Sequence, residues 1–123
     1  MDELFYFQKA TDISCTCGET HRILTQKTIV DHSLLEQIPP ILNQLNLGKK
    51  CLIVFDENTY QAAGQKIVTI LNQEKYETIP LLLSHNSPTQ YLEPDEDTRH
   101  QVGTGLRYQP DFMIAVGSGV IND

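Results

Sequence analysis

The stretch that most constrains this chain is Phe112-Met113-Ile114-Ala115-Val116, followed at once by Gly117-Ser118-Gly119. Five apolar residues without polar alternation mark a strand covered on both faces, the usual state of a parallel strand between helical layers. Two glycines around a serine let backbone N–H groups come close to a phosphate and lead it to a helix N-terminus. The sequence therefore predicts a buried strand, a phosphate-holding turn and the start of a helix.

The upstream residues supply the layers that such a strand needs. Arg22 to Val30 is rich in β-branched residues and reads as an edge strand or one arm of a hairpin. Ser33 and Glu36 have capping-box spacing. Leu34, Ile38, Ile41, Leu42 and Leu45 then fall on one helical face, with Pro39 and Pro40 in a first turn, where a missing N–H costs little. Gly48 suits the end of that helix. Cys51 to Phe55 is a second unalternated apolar run, ending at Asp56-Glu57-Asn58. A helix capped by Asn58 or Thr59 follows to about Gln73, with Tyr60, Ala63, Ile67, Ile70 and Leu71 inward. Glu77 to Ser84 is a third strand, which Pro80 restricts to an edge or irregular place. A loop over 85–94 leads to a helix from Asp95-Glu96 to about Tyr108, weakened by Gly103 and Gly105. Strands alternating with helices imply βαβ units. The expected fold is α/β: a Rossmann-like, mainly parallel sheet flanked by helices in three αβα layers, cut off at its phosphate-holding turn. It spans residues 22–123, after an irregular segment 1–21.

Charge and composition narrow the function. A net charge of −7 argues against non-specific nucleic-acid binding, which rests on basic surface. No apolar run approaches the roughly 18 residues of a membrane span, and Met1 to Tyr6 lacks the basic and apolar regions of a signal peptide. Three cysteines make no disulfide framework. The expectation is a reduced, cytoplasmic protein with no nucleic-acid or membrane partner.

Cys15-Thr-Cys17-Gly18-Glu-Thr-His21 raises the question of zinc. Two thiols and an imidazole are suitable donors. The C-x-C spacing departs from the usual knuckle, however, and no fourth donor lies nearby. A turn after a strand, with the cysteines inward and His21 exposed, fits the segment better than a zinc site at Cys15, Cys17 and His21.

Two polar features fall at strand ends. In open α/β sheets, ligands bind beyond the carboxyl ends of the strands. Asp56 and Asn58 could hold ribose hydroxyls there, while Gly117-Ser118-Gly119 holds a pyrophosphate. Each has an ordinary counterpart, since Asp and Asn cap helices and Gly-Ser-Gly makes tight turns. Their order matters too. The common dinucleotide fingerprint puts its glycines first and its acidic residue about 20 residues later. Here Asp56 precedes the glycines by about sixty residues, which argues against an ordinary G-x-G-x-x-G domain.

Two strings sharpen the reading: Phe55-Asp-Glu-Asn-Thr-Tyr-Gln-Ala-Ala-Gly64 and Asp111-Phe-Met-Ile-Ala-Val-Gly-Ser-Gly-Val-Ile-Asn-Asp123. Together they resemble the sn-glycerol-1-phosphate dehydrogenases, within the wider group of iron-type alcohol dehydrogenases, glycerol dehydrogenases and 3-dehydroquinate synthases. The likeness covers residues 22 to 123 and only that family's N-terminal nucleotide-binding domain. It implies that Asp56 and Asn58 lie by the adenosine ribose. It likewise implies that Gly117, Ser118, Gly119, Val120 and Ile121 hold the pyrophosphate of NAD or NADP, with Asp123 closing the motif. A carboxylate near the 2′-hydroxyl favours NAD over NADP. The implied reaction is hydride transfer between the nicotinamide and dihydroxyacetone phosphate or glycerol phosphate, aided by a divalent zinc or iron ion. The family's metal ligands lie in a helical C-terminal domain absent from these residues, and His21, His32, His85 and His100 do not match them. The resemblance thus implies an inactive fragment of an enzyme that acts on a phosphorylated polyol. Glycerol dehydrogenase or dehydroquinate-synthase-like chemistry, or a stand-alone nucleotide-binding module, are the alternatives. An exposed sheet edge further predicts a homo-oligomer.

Overall fold

The computed structural model describes residues 4–7, 11–14, 16–23, 25–84, 96–117 and 121. They fall into two compact units, Met1–Leu34 and Leu35–Asp123. The first is made of short antiparallel pairs. β1 (Leu4–Phe7) pairs with β4 (Lys27–Val30), and β2 (Thr11–Ser14) pairs with β3 (Thr20–Ile23). The expected irregular opening thus contains two strands, and the expected single strand over 22–30 is split between β3 and β4. β1 and β4, only four residues each and paired from the two ends of this unit, leave no local signature. The turn between β2 and β3 contains Cys17 and Gly18, and Gly18 holds a φ of +89° that favours glycine. Cys17 is exposed rather than packed inward.

The second unit is the α/β core. β5 (Lys50–Phe55) lies in the middle of a three-stranded parallel sheet, with β6 (Glu77–Leu82) on one side and β7 (Phe112–Ala115) on the other. Along β5, successive side chains feed opposite faces. Cys51, Ile53 and Phe55 meet Ile38 and Leu42 of α1 (Ile38–Leu45), and Ile67 and Leu71 of α3 (Gln65–Gln73). Leu52 and Val54 meet Val102 of α4 (Glu96–Leu106) on the other face. The crossover from β5 to β6 and the crossover from β6 to β7 run in opposite directions across the sheet. Right-handed connections therefore place α3 and α4 on opposite faces, giving the three layers.

Pro80 sits where the sheet tolerates it. The Glu77 N–H donates to the Lys49 carbonyl and the Leu83 N–H to the Phe55 carbonyl, each at 2.8 Å. Odd-numbered amides of β6 thus turn toward β5, and position 80 faces the open edge, where no ladder bond is lost. Gly105, rather than weakening α4, lets it approach the sheet. A Cβ there would stand 2.7 Å from Leu52 Cδ1.

Three expectations about helix ends are corrected. Ser33 and Glu36 do not cap a helix. A 3₁₀ turn over Leu35–Gln37 leads into α1, whose N-cap is Gln37 without a side-chain bond, and the Glu36 carboxylate pairs with Lys66 at 2.8 Å instead. That pairing holds the Glu36 carboxyl below its ordinary value through the Lys66 hydrogen bond, but both side chains are exposed. α1 ends at Asn46, left-handed at φ +53°, rather than at Gly48. Gly48, at φ +103°, serves a close approach: a Cβ there would overlap the Asp111 carboxylate. Asp111 Oδ2 accepts the Lys49 and Lys50 N–H groups at 3.1 and 3.0 Å, fastening the entry of β5 to that of β7.

The third correction concerns the helix after β5. It is capped by Asp56, not by Asn58 or Thr59. It also contains a π-helical turn, Tyr60–Gly64, between α2 (Glu57–Thr59) and α3. Such turns arise where one residue is accommodated out of the i→i−4 ladder. Here Tyr60 lies against Phe55 with ring centroids 4.9 Å apart, and a Cβ on Gly64 would reach within 3.0 Å of Phe55.

The strand over 112–116 also differs from expectation. It is an edge strand within its sheet, and only Phe112, Ile114 and Val116 turn to the α1/α3 face. Met113 is 46% exposed and Ala115 is exposed, because α4 covers β5 and β6 but does not extend over β7. The strand buried on both faces is β5.

Candidate cofactor site

The site is built from the carboxyl ends of two adjacent strands. β5 and β7 run parallel in register, with Val54 beside Ala115. The Val116 N–H donates to the Val54 carbonyl at 2.8 Å, so Gly117 leaves the sheet beside the end of β5. The chain after β5 turns to the α1/α3 face. Beyond β7, Ile121 lies on the opposite, α4 face, packed against the Leu52, Val54 and Leu83 cluster. Two neighbouring strands whose continuations diverge to opposite faces create a crevice between them. That is the topological switch point at which open α/β sheets bind ligands.

Asp56 stands on the β5 side of this crevice. Its backbone is extended, and its Oδ1 accepts the Thr59 N–H at 2.8 Å. In return the Asp56 N–H donates to Thr59 Oγ1 at 2.9 Å, completing a capping box. Asn58 is exposed on the first turn of the helix. Gly117 stands on the β7 side, exposed, with a φ of +144°. A Cβ there would lie 2.9 Å from Ile121 Cγ1 and 3.2 Å from Thr59 Cγ2. The glycine is therefore required by conformation and by space, and the bare backbone it leaves is what a phosphate approaches most closely.

Of the residues read from sequence, the structure brings Asp56, Asn58 and Gly117 to one end of the sheet and sets Ile121 close to Gly117. Ser118, Gly119, Val120 and Asp123 lie outside the described residues, as do Cys15, the His21 side chain and the loop over 85–94. Among the described residues, no group of three or more His, Cys, Asp or Glu could hold a metal ion. Likewise among them, no helix is long and apolar enough to cross a membrane. An open groove of about 680 Å³ runs along the outer side of β6, past Pro80, Gly105, Arg107 and Tyr108, and shares no residue with the crevice. Sequence reading undervalued Thr59, which it considered only as a cap. The D-x-x-T spacing from Asp56 to Thr59 was the available signal.

This geometry is that of a small Rossmann-like α/β fragment, with a candidate ligand crevice at the ends of its parallel strands. Comparison with known proteins makes the assignment particular. The family model for iron-containing alcohol dehydrogenase matches residues 29–123, and the chain belongs to that family. It is 32% identical to a glycerol-1-phosphate dehydrogenase [NAD(P)+] of Bacillus licheniformis, over 100% of this chain and 30% of that protein. It is 27% identical to the glycerol-1-phosphate dehydrogenase [NAD(P)+] of Halalkalibacterium halodurans, over 100% of this chain and 31% of the relative. A 3-dehydroquinate synthase of Chlorobaculum parvum is 27% identical over 77% of this chain and 26% of its own length. The chain thus spans about a third or less of these relatives. No solved structure matches it.

Proposed function

We propose that the crevice between β5 and β7 binds the adenosine diphosphate portion of NAD or NADP, and that residues 22–123 form the cofactor-binding part of a glycerol-1-phosphate dehydrogenase. The observation that carries this reading is the placement of Gly117 and Asp56 at the diverging ends of adjacent parallel strands. In it, the Gly117 turn with Ser118, Gly119, Val120 and Ile121 receives the pyrophosphate on backbone N–H groups, and Asp123 closes the turn. Asp56 and Asn58 take the ribose hydroxyls. One oxygen of the Asp56 carboxylate is engaged by the Thr59 amide, leaving the other for a hydroxyl. The charge disfavours a 2′-phosphate, so NAD should bind about tenfold or more tightly than NADP.

The names of the relatives support dehydrogenation of glycerol 1-phosphate with NAD or NADP, and the family resemblance implies dihydroxyacetone phosphate as the carbonyl partner. A divalent zinc or iron ion would polarise the substrate carbonyl in that chemistry. Among the described residues no group of three or more His, Cys, Asp or Glu could hold such an ion, and this reading places it in the part of the relatives' length that the chain does not span, so that the chain alone is expected to turn over no substrate. The similarity to a 3-dehydroquinate synthase fits the same cofactor crevice serving different chemistry.

The test is calorimetric titration of NAD into the chain and its Gly117→Val variant, with folding followed by circular dichroism. NAD should bind the wild type, and the variant should lose binding while keeping its helical signal. Equal affinity in the two proteins would overturn the phosphate assignment.

A further inference from the structure

We infer that Thr59 is the positioning residue of this crevice, joining its ribose side to its phosphate side; the inference rests on the cofactor reading above. Two separate observations meet at this side chain. The first is the reciprocal box. Thr59 N–H donates to Asp56 Oδ1 at 2.8 Å, while Thr59 Oγ1 accepts the Asp56 N–H at 2.9 Å and donates to the Asp56 carbonyl at 3.3 Å. The carboxylate is thereby held in one orientation before any ligand arrives. The second is packing. Thr59 Cγ2 lies 3.2 Å from the place where a Gly117 Cβ would stand, so its methyl walls the turn that leaves β7.

Neither serine nor valine does both. Serine keeps the hydroxyl and loses the methyl. Valine keeps the branched shape and loses the acceptor, stranding the part-buried Asp56 N–H. Threonine is stiff at χ1, so one rotamer serves the box and the wall together. Ordering the carboxylate and the turn in advance removes a cost that binding would otherwise carry.

The experiment is NAD titration of the wild-type chain against Thr59→Val, Thr59→Ser, Asp56→Asn and the double variant Asp56→Asn/Thr59→Val. Thr59→Val should weaken NAD about five- to tenfold, the size of one lost hydrogen bond. Thr59→Ser should recover most of that loss, staying within about threefold of wild type, since it keeps the bond. If Thr59 acts through Asp56, the double variant should bind no more weakly than Asp56→Asn alone. A Thr59→Val chain that binds like wild type, or losses that simply add, would overturn the inference. Failure of the wild type to bind NAD would instead sink the cofactor reading. The positioning claim is then read from amide NMR of the free chain. Thr59→Val should speed exchange of the Asp56 amide by about fivefold or more, whereas Thr59→Ser should keep that exchange slow and shift the Gly117 amide instead, because it removes the methyl wall. Unchanged spectra would overturn it.

Discussion

β5 and β7 begin from nearly the same sequence logic and end in different environments. Cys51-Leu-Ile-Val-Phe55 and Phe112-Met-Ile-Ala-Val116 are both five-residue apolar runs leading into a candidate site. β5 has a strand on either side and helices on both faces, and all five of its apolar residues are buried. β7 has one strand neighbour in its sheet and one covered face, with Met113 and Ala115 exposed. An apolar run therefore specifies a strand that can be covered on both faces, while the sheet order decides whether it is. Fold stability should reside in β5, and β7 should contribute chiefly by carrying the Gly117 turn to its place.

The strongest way to break this comparison is to truncate matched positions. Leu52→Ala should cost about 2–5 kcal/mol, because it opens a cavity between β5 and α4. Met113→Ala should cost under about 1 kcal/mol, since its side chain is already half in water. Denaturant unfolding of both variants measures the difference, and similar losses would mean that the core holds β7 as firmly as it holds β5.

A smaller effect is expected at the helix that covers only β5 and β6. Gly105→Ala adds a methyl 2.7 Å from a fully buried Leu52. The overpacking should destabilise by about 1–3 kcal/mol, partly offset by the better helix propensity of alanine. The matched change Gly103→Ala meets open space and should be stabilising by up to about 1 kcal/mol. Thermal midpoints that move the same way at both positions would show that α4 does not press on β5.

The last effect vanishes at neutral pH and appears only on the alkaline side. Burial pushes the Cys51 thiol up from about 9 to about 12. A group whose folded value is raised contributes stability that is complete below its unfolded value and is lost as pH rises toward the folded one. Stability should therefore fall above about pH 9, with part of that slope missing in Cys51→Ala. In native protein, iodoacetamide should label Cys17 and spare Cys51 until the chain unfolds. Prompt labelling of Cys51 at neutral pH would show that β5 opens readily.

Much of this organisation was legible in the sequence, for identifiable reasons. β5, α3, β6 and α4 follow from apolar runs and helical spacing, which are local properties. The parallel order follows from their alternation, and the β5 and β7 ends from the general rule for open sheets. What the sequence concealed depends on partners far along the chain. Met113 looks buried because exposure on one face is decided by where α4 lies. Ser33 and Glu36 look like a cap, but Lys66, thirty residues on from Glu36, takes the carboxylate. Gly48 looks like a helix terminus, yet its freedom answers to Asp111 across the sheet. Asp56 was read for its ligand chemistry and proves also to be the cap, so one residue both fixes the start of the helix and stands at the crevice.

The most direct test of the crevice is to map it. In an amide NMR titration of the chain with NAD, shifts should concentrate at Asp56 to Thr59 and at Val116, Gly117 and Ile121. Lys49, Lys50 and Asp111, at the opposite end of the same strands, should stay still. Shifts that centre on the groove by Pro80 and Arg107, or that spread evenly over both ends of β5, would contradict a dinucleotide site at the diverging ends of β5 and β7.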